Sequence, residues 1–219
     1  MMKKVNDFLK KDWLIILLII AGFVISICFY PYLPDRVPSH WNAQGEIDGY
    51  GSKLFGAFGM PSINLGIYLL YILLPYIDPK RKNYASFKPT YQLFKYIIVI
   101  FFFCVHLAIL LNVTGFKVDI PTFIQIAISL LFIFMGNAMG RIKHNYFIGI
   151  RTPWTLASEE VWKKTHRISA PLWVAGGVLN LVLFLLGAGP YSFIAIIIVI
   201  SVIPTIYSYL IYRKLIDNK

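Results

Sequence analysis

The chain has 219 residues, 58% of them hydrophobic and only 14% charged, where a soluble domain carries roughly 25% charged residues. That deficit excludes an ordinary water-soluble globule and makes lipid the main solvent. The net charge of +11 is not a nucleic-acid signature, because the basic residues form short clusters between apolar runs rather than a stripe on one face.

A basic N-terminus (Lys3, Lys4, Lys10, Lys11) leads into a first apolar run at about 13–32. It is too long for a signal-peptide core of about 7–15 residues and no small-x-small cleavage site follows, so it reads as a retained span. Pro31 and Pro34 close it. The next segment, 33–54, reads as a small ordered extracellular loop. Pro34 and Pro38 stiffen its start, Asn42 to Gly45 reads as a turn with glycine in the left-handed position, and Asp48-Gly49 reads as a second, hairpin-type turn. Asp35, His40, Glu46 and Asp48 offer a cation site or an acid/base pair, but their spacing matches no metal pattern. A cap that meets an extracellular ligand through Trp41 and Tyr50 is the better reading.

A second span at about 55–77 ends at Asp78-Pro79, and five basic residues (Lys80, Arg81, Lys82, Lys88, Lys95) follow it, up to and just into a third at about 93–114. His106 falls near the middle of that third span. It reads either as a titrating or ligand-binding group or as a neutral imidazole bonded to a neighbouring amide. Pro121 opens a fourth span at about 121–140, which ends in the G-x-x-x-G step Gly136 to Gly140. The polar residues within the spans are Asn64, His106, Asn112, Gln125, Asn137 and Asn180; Cys28 and Cys104 have neither disulfide nor C-x-x-C spacing. No Asp, Glu, Lys or Arg lies near the middle of any span, which disfavours an ion-coupled transporter. H-E-x-x-H is absent, as is a pair of membrane aspartates. The expectation is therefore a non-enzyme with no catalytic residue, cofactor or metal.

Residues 141–169 form the second loop of interest. Gly149 and Pro153 bracket an extended stretch carrying Arg151, and Ser158 is a good N-cap for a short helix with Glu159 and Glu160 first and Lys163, Lys164 and Arg167 last. That helix reads as interfacial, lying on anionic lipid headgroups. The alternatives are a docking surface for a cytoplasmic partner and a pocket floor lined by Asn145, Arg151 and His166. Spans five and six, about 170–187 and 191–212, are joined by the tight turn Gly187-Ala188-Gly189-Pro190.

The predicted architecture is an all-α membrane protein. It is a single membrane domain over 1–219, a bundle of six transmembrane helices with a small outer loop and a short inner interfacial helix. Of the Lys and Arg residues, Arg36, Lys53 and Lys117 alone flank one side and all the others flank the opposite side. By the positive-inside rule the crowded side, with both termini, is cytoplasmic.

Two stretches resemble a known family. Asn137, then Asn145-Tyr-Phe-Ile-Gly149-Ile-Arg151-Thr152-Pro153-Trp154-Thr-Leu156, Trp162 and His166 are similar to the signature of the SdpI family. Leu33-Pro-Asp-Arg-Val-Pro-x-His40-Trp41-Asn42, Gly45 and Asp48 resemble the domain of unknown function that forms the N-terminal half of such proteins. The resemblance implies a multi-pass protein of the bacterial plasma membrane that gives immunity to a secreted membrane-active peptide toxin. It also implies signalling by holding a cytoplasmic transcriptional repressor, with no direct nucleic-acid contact. It implies a toxin-facing role for the outer residues from Asp35 to Asp48 and a partner-facing role for the inner ones. It establishes no catalytic residues. A membrane enzyme or lipid-modifying protein, with Arg151 gripping phosphate and His166 or Glu160 as acid/base, is the alternative.

Overall fold

The structure, a computed structural model, describes residues 2–42 and 44–217, with side chains from residue 12 onward. Lys219 and the side chains of Lys3, Lys4, Lys10 and Lys11 lie outside the described residues. The elements in chain order are α1 (Met2–Phe29), a hairpin of β1 (Arg36–Trp41) and β2 (Ile47–Ser52), α2 (Lys53–Ile77), α3 (Lys88–Val113), α4 (Ile120–Met139), α5 (Pro153–Ala157), α6 (Glu159–Leu185) and α7 (Pro190–Asp217). Among the described residues, six helices are long and apolar enough to cross a membrane. Their large apolar side chains are extensively exposed, among them Leu17, Leu73, Val182 and Ile206. Such a surface is stable only where lipid replaces water, and helices satisfy their own backbone there.

Helices run further than the apolar runs did. The basic stretch after α2 is one 3-10 segment, Arg81–Phe87, feeding directly into α3. Lys95, counted with the basic segment after the second span, is inside α3 and buried. The short helix expected after Ser158 is also present, and Ser158 Oγ accepts the Val161 N–H at 3.4 Å. It continues without a break through Pro171 into the fifth span, as α6.

The chain packs as two compact units, residues 1–70 with 98–124 and residues 71–97 with 125–219. In the first, α1, α2 and α3 meet through polar groups deep in apolar surroundings. Ser26 Oγ lies 2.6 Å from the Ala57 carbonyl oxygen and 2.9 Å from His106 Nε2, and Asn64 donates to the Val99 carbonyl at 3.1 Å. Ser26 has one proton, and the short approach to Ala57 claims it, so His106 donates Nε2–H to Ser26. The partner of His106 is thus a hydroxyl rather than one of the amides. The other predicted polar residues are satisfied within their own units. Asn112 donates to the Val118 carbonyl at 2.8 Å, Gln125 donates to Asn180 Oδ1 at 3.0 Å, and Asn180 donates to Ser129 Oγ at 2.7 Å. Asn137 is exposed on α4.

In the second unit α4 and α6 cross closely. A Cβ on Gly136 would meet Trp173 Cβ and the Val174 nitrogen at 2.8 Å, and one on Gly177 would meet the Ser129 carbonyl oxygen at 2.6 Å. Gly140, the second glycine of the G-x-x-x-G step, has only an ordinary 3.7 Å contact to Ala170. The close approach therefore rests on one glycine from each helix, not on the motif alone.

Candidate functional site

The outer hairpin belongs to the first unit. Asn42 Oδ1 accepts from the Gln44 and Glu46 amides at 3.0 and 2.9 Å, and Gly45 takes the left-handed conformation (φ 84°), so the turn at 42–46 forms as its residues predict. Asp48-Gly49 is not a turn. Both residues lie inside β2, where Gly49 pairs with His40 beside a register irregularity and a Cβ on Gly49 would come within 2.9 Å of His40 Cβ. Glycine is used at that position for a close strand approach instead of a reversal.

That register places His40 Nδ1 2.5 Å from Asp48 Oδ1 across the ladder, with both side chains substantially exposed. Asp35 is exposed, Trp41 and Asn42 are half-buried, and Asn42 Nδ2 donates to Glu46 Oε2 at 3.0 Å. Among the described residues, no three His, Cys, Asp or Glu side chains gather where they could hold a metal ion. The hairpin is seated on the bundle by Val37, which is fully buried with Leu33, Ala57 and Leu110. Gly56 makes room for it, since a Cβ there would lie 2.5 Å from Val37 Cβ.

The inner site belongs wholly to the second unit. Residues 142–152 form no helix or strand, so their backbone groups need other partners. Asn145 supplies many of them. Its Oδ1 accepts from the Phe147 and Ile148 amides at 2.9 and 2.7 Å, and its Nδ2 donates to the Lys143 and Ile148 carbonyls, both at 2.9 Å. His166 supplies the next partner, with Nε2 accepting the Ile150 N–H at 3.0 Å and Nδ1 donating to the Trp162 carbonyl at 2.9 Å. A ring that accepts at Nε2 is neutral and carries its proton on Nδ1. Gly149 (φ 110°) passes directly over this ring, and any Cβ would collide with Nε2. Trp162 stacks on His166 with centroids 4.1 Å apart and donates from Nε1 to the Ile142 carbonyl at 3.0 Å.

Thr152 ends the loop by capping α5. Its Oγ1 accepts the Thr155 N–H at 3.1 Å and lies 2.9 Å from Ser208 Oγ of α7, while its own amide donates reciprocally to Thr155 Oγ1 at 2.8 Å. Pro153 takes the first helical turn, where its missing N–H costs nothing. Trp154 packs on Tyr209, ring centroids 5.0 Å apart. Arg151 is exposed and donates to the Tyr146 carbonyl at 3.2 Å.

Three residues that sequence reasoning passed over complete the site. Asp78, taken only as a span terminator, is buried. It accepts from Tyr84 Oη at 2.9 Å, from the Tyr146 amide at 3.0 Å and from the Lys80 amide at 2.6 Å. Asn83 adds a bond to the His144 carbonyl at 2.7 Å. His144 is itself buried against Trp162 at 5.2 Å. Burial, with Lys80 nearby, holds its imidazole below the usual value of 6.5. The one available signal was an acidic residue at a span boundary, which demands a partner if buried.

The inner residues therefore divide. Asn145, Gly149, Thr152, Trp162 and His166 are consumed in building the loop, while Arg151 and Pro153 remain exposed, as do Arg141, Lys143, Lys163, Lys164 and Arg167.

This is a polytopic helical membrane protein with an ordered hairpin before its second span and a tightly pinned loop between its fourth and fifth. Residues 141–208 match the SdpI/YfhL protein family, and residues 17–65 match a domain of unknown function, DUF1648. The chain is 31% identical to the Immunity protein SdpI of Bacillus subtilis (strain 168), over 94% of this chain and 98% of that relative. It is 40% identical to the uncharacterized membrane protein YbgB of the same organism, over 20% of this chain and 47% of YbgB. No solved structure matches. The chain belongs to the SdpI/YfhL family.

Proposed function

We propose that the chain gives its host cell immunity to a secreted membrane-active peptide, with the hairpin facing the peptide outside the cell and the basic loop facing the cytoplasm. The observation that carries this reading is the end-to-end similarity to a protein named for immunity, which spans 98% of that relative and so includes both loops. The lopsided distribution of Lys and Arg supports the orientation, with both termini inside. The exposed His40–Asp48 pair and Trp41 give the hairpin a rigid face with both charge and an aromatic surface, suited to an amphipathic peptide. The exposed basic residues around Arg151 offer a complementary surface to an acidic cytoplasmic partner, a repressor in this reading.

The alternative, an enzyme at the inner interface, is weakened at His166, whose two nitrogens are both engaged, while Glu160 forms an exposed pair with Lys164 at 2.6 Å. The test is substitution on the hairpin. Trp41→Ala or Asp48→Asn should abolish protection of a sensitive strain while leaving the amount of protein in the membrane unchanged. Full protection by both variants would overturn the assignment of the hairpin as the toxin-facing surface.

A further inference from the structure

The second unit contains a cavity of about 210 Å³ that none of the contacts above uses. Tyr71, Phe94, Met135, Met139, Trp173 and the loop segment 147–150 form its walls. The lining is mostly hydrocarbon, thioether and aromatic carbon, with a smaller polar share that includes the 147–150 backbone, and Trp173 Nε1–H is buried without an acceptor. Water is a poor occupant, because a buried water needs two to four polar partners. An empty space of this size is costly where side chains or lipid can fill it.

A second hollow, of about 510 Å³, lies in the same unit at the end of α2 and is formed by residues 76–83. Lys80, Arg81 and Lys82 are exposed around it. Asp78 also borders it, but its carboxylate is held by Tyr84, Tyr146 and the Lys80 amide. The two spaces share helix α2. Tyr71 borders the apolar one, and Tyr76 to Asp78 border the basic one. At 1.5 Å per residue they are separated by roughly 8–10 Å along the axis, close to the depth of one headgroup layer, roughly 5–8 Å.

We propose that this unit holds one anionic phospholipid, with an acyl chain in the apolar cavity and the phosphate against Lys80, Arg81 and Lys82. An ester carbonyl entering with the chain would bring an acceptor to the side of the cavity walled by Trp173. Lipid is the occupant because it is the solvent of this surface, present at a concentration that fills even a weak site. The sign of the charge follows from three adjacent cations whose only buried carboxylate neighbour is already satisfied. The proposal stands apart from the immunity reading, since its test uses no toxin.

The experiment places the full chain in liposomes containing phosphatidylglycerol with a photoactivatable diazirine at the end of one acyl chain, and maps cross-links by mass spectrometry. A matched phosphatidylcholine probe is the comparison arm. The expected result is labelling of Met135, Met139 or residues 147–150 by the anionic probe, well above the zwitterionic one. Arg81→Gln should reduce the anionic labelling about fivefold, the loss expected for one basic group at an anionic surface. Met135→Trp should abolish it by filling the cavity, and because that variant could misfold, Arg81→Gln and the two-probe comparison decide the matter without it. Labelling confined to outward-facing residues such as Leu179 and Val182, or equal labelling by the two probes, overturns the proposal.

Discussion

Single atoms decide most of what the inner loop can do. His166 accepts from Ile150 and donates to Trp162, so it acts as a two-ended pin, and Gly149 is the residue whose missing Cβ allows the pin to close. Gly149→Ala places a side chain both in left-handed backbone and against the ring. It should cost about 1–3 kcal/mol for the backbone alone, read as a lower thermal midpoint of the purified protein in detergent. His166→Ala should cost a similar amount by stranding a buried amide. An unchanged midpoint in both variants would contradict the pin. His144 adds a pH dependence. Its folded-state value is below 6.5, because burial and Lys80 oppose the charged ring. The unfolded chain therefore binds the extra proton first as pH falls. The contribution is constant above pH 6.5 and is lost below it. The unfolding midpoint should drop between about pH 7 and 5, and His144→Leu should make that slope shallower.

At the scale of elements, the hairpin depends on one fit. Val37 of β1 drops into the space that Gly56 of α2 leaves, so the two residues form a lock in which either side can be changed. Gly56→Ala should loosen the hairpin, measured as faster hydrogen exchange of the β1 amides. Adding Val37→Ala should restore much of the protection by shrinking the opposing side chain. Failure of the double variant to recover would mean that the hairpin is seated by other contacts. The legible and illegible parts of the sequence separate at this scale as well. Apolar length, prolines and the Ser158 cap reported the spans, because each is a local property. The turn at Asn42 to Gly45 was legible for the same reason, since Asn42 binds amides two and four residues away. Asp48-Gly49 misled because the same dipeptide serves a turn or a tight strand pairing, and the choice depends on register with His40. Ser26 with His106, Asp78 with Tyr146 and Gly136 with Trp173 join residues about 40–80 positions apart. No window along the chain contains both partners. The extension of α6 was hidden differently, because its first turns are amphipathic and polar while the rest is apolar, so hydropathy divided one helix into two.

For the whole molecule, no Asp, Glu, Lys or Arg lies near the middle of any of the six apolar helices, and much of the remaining chemistry collects in the hairpin and the pinned loop. Family membership accounts for both segments together, since the two family models match 17–65 and 141–208. The reading of the molecule as an immunity protein predicts a gain of function from this single chain. The direct test is to express it in a Bacillus subtilis strain that lacks its own immunity protein and challenge that strain with a secreted membrane-active peptide that kills it. The account predicts survival close to that of the strain carrying its own immunity protein. Killing at the rate of the unprotected strain, with the chain present in the membrane, would contradict it.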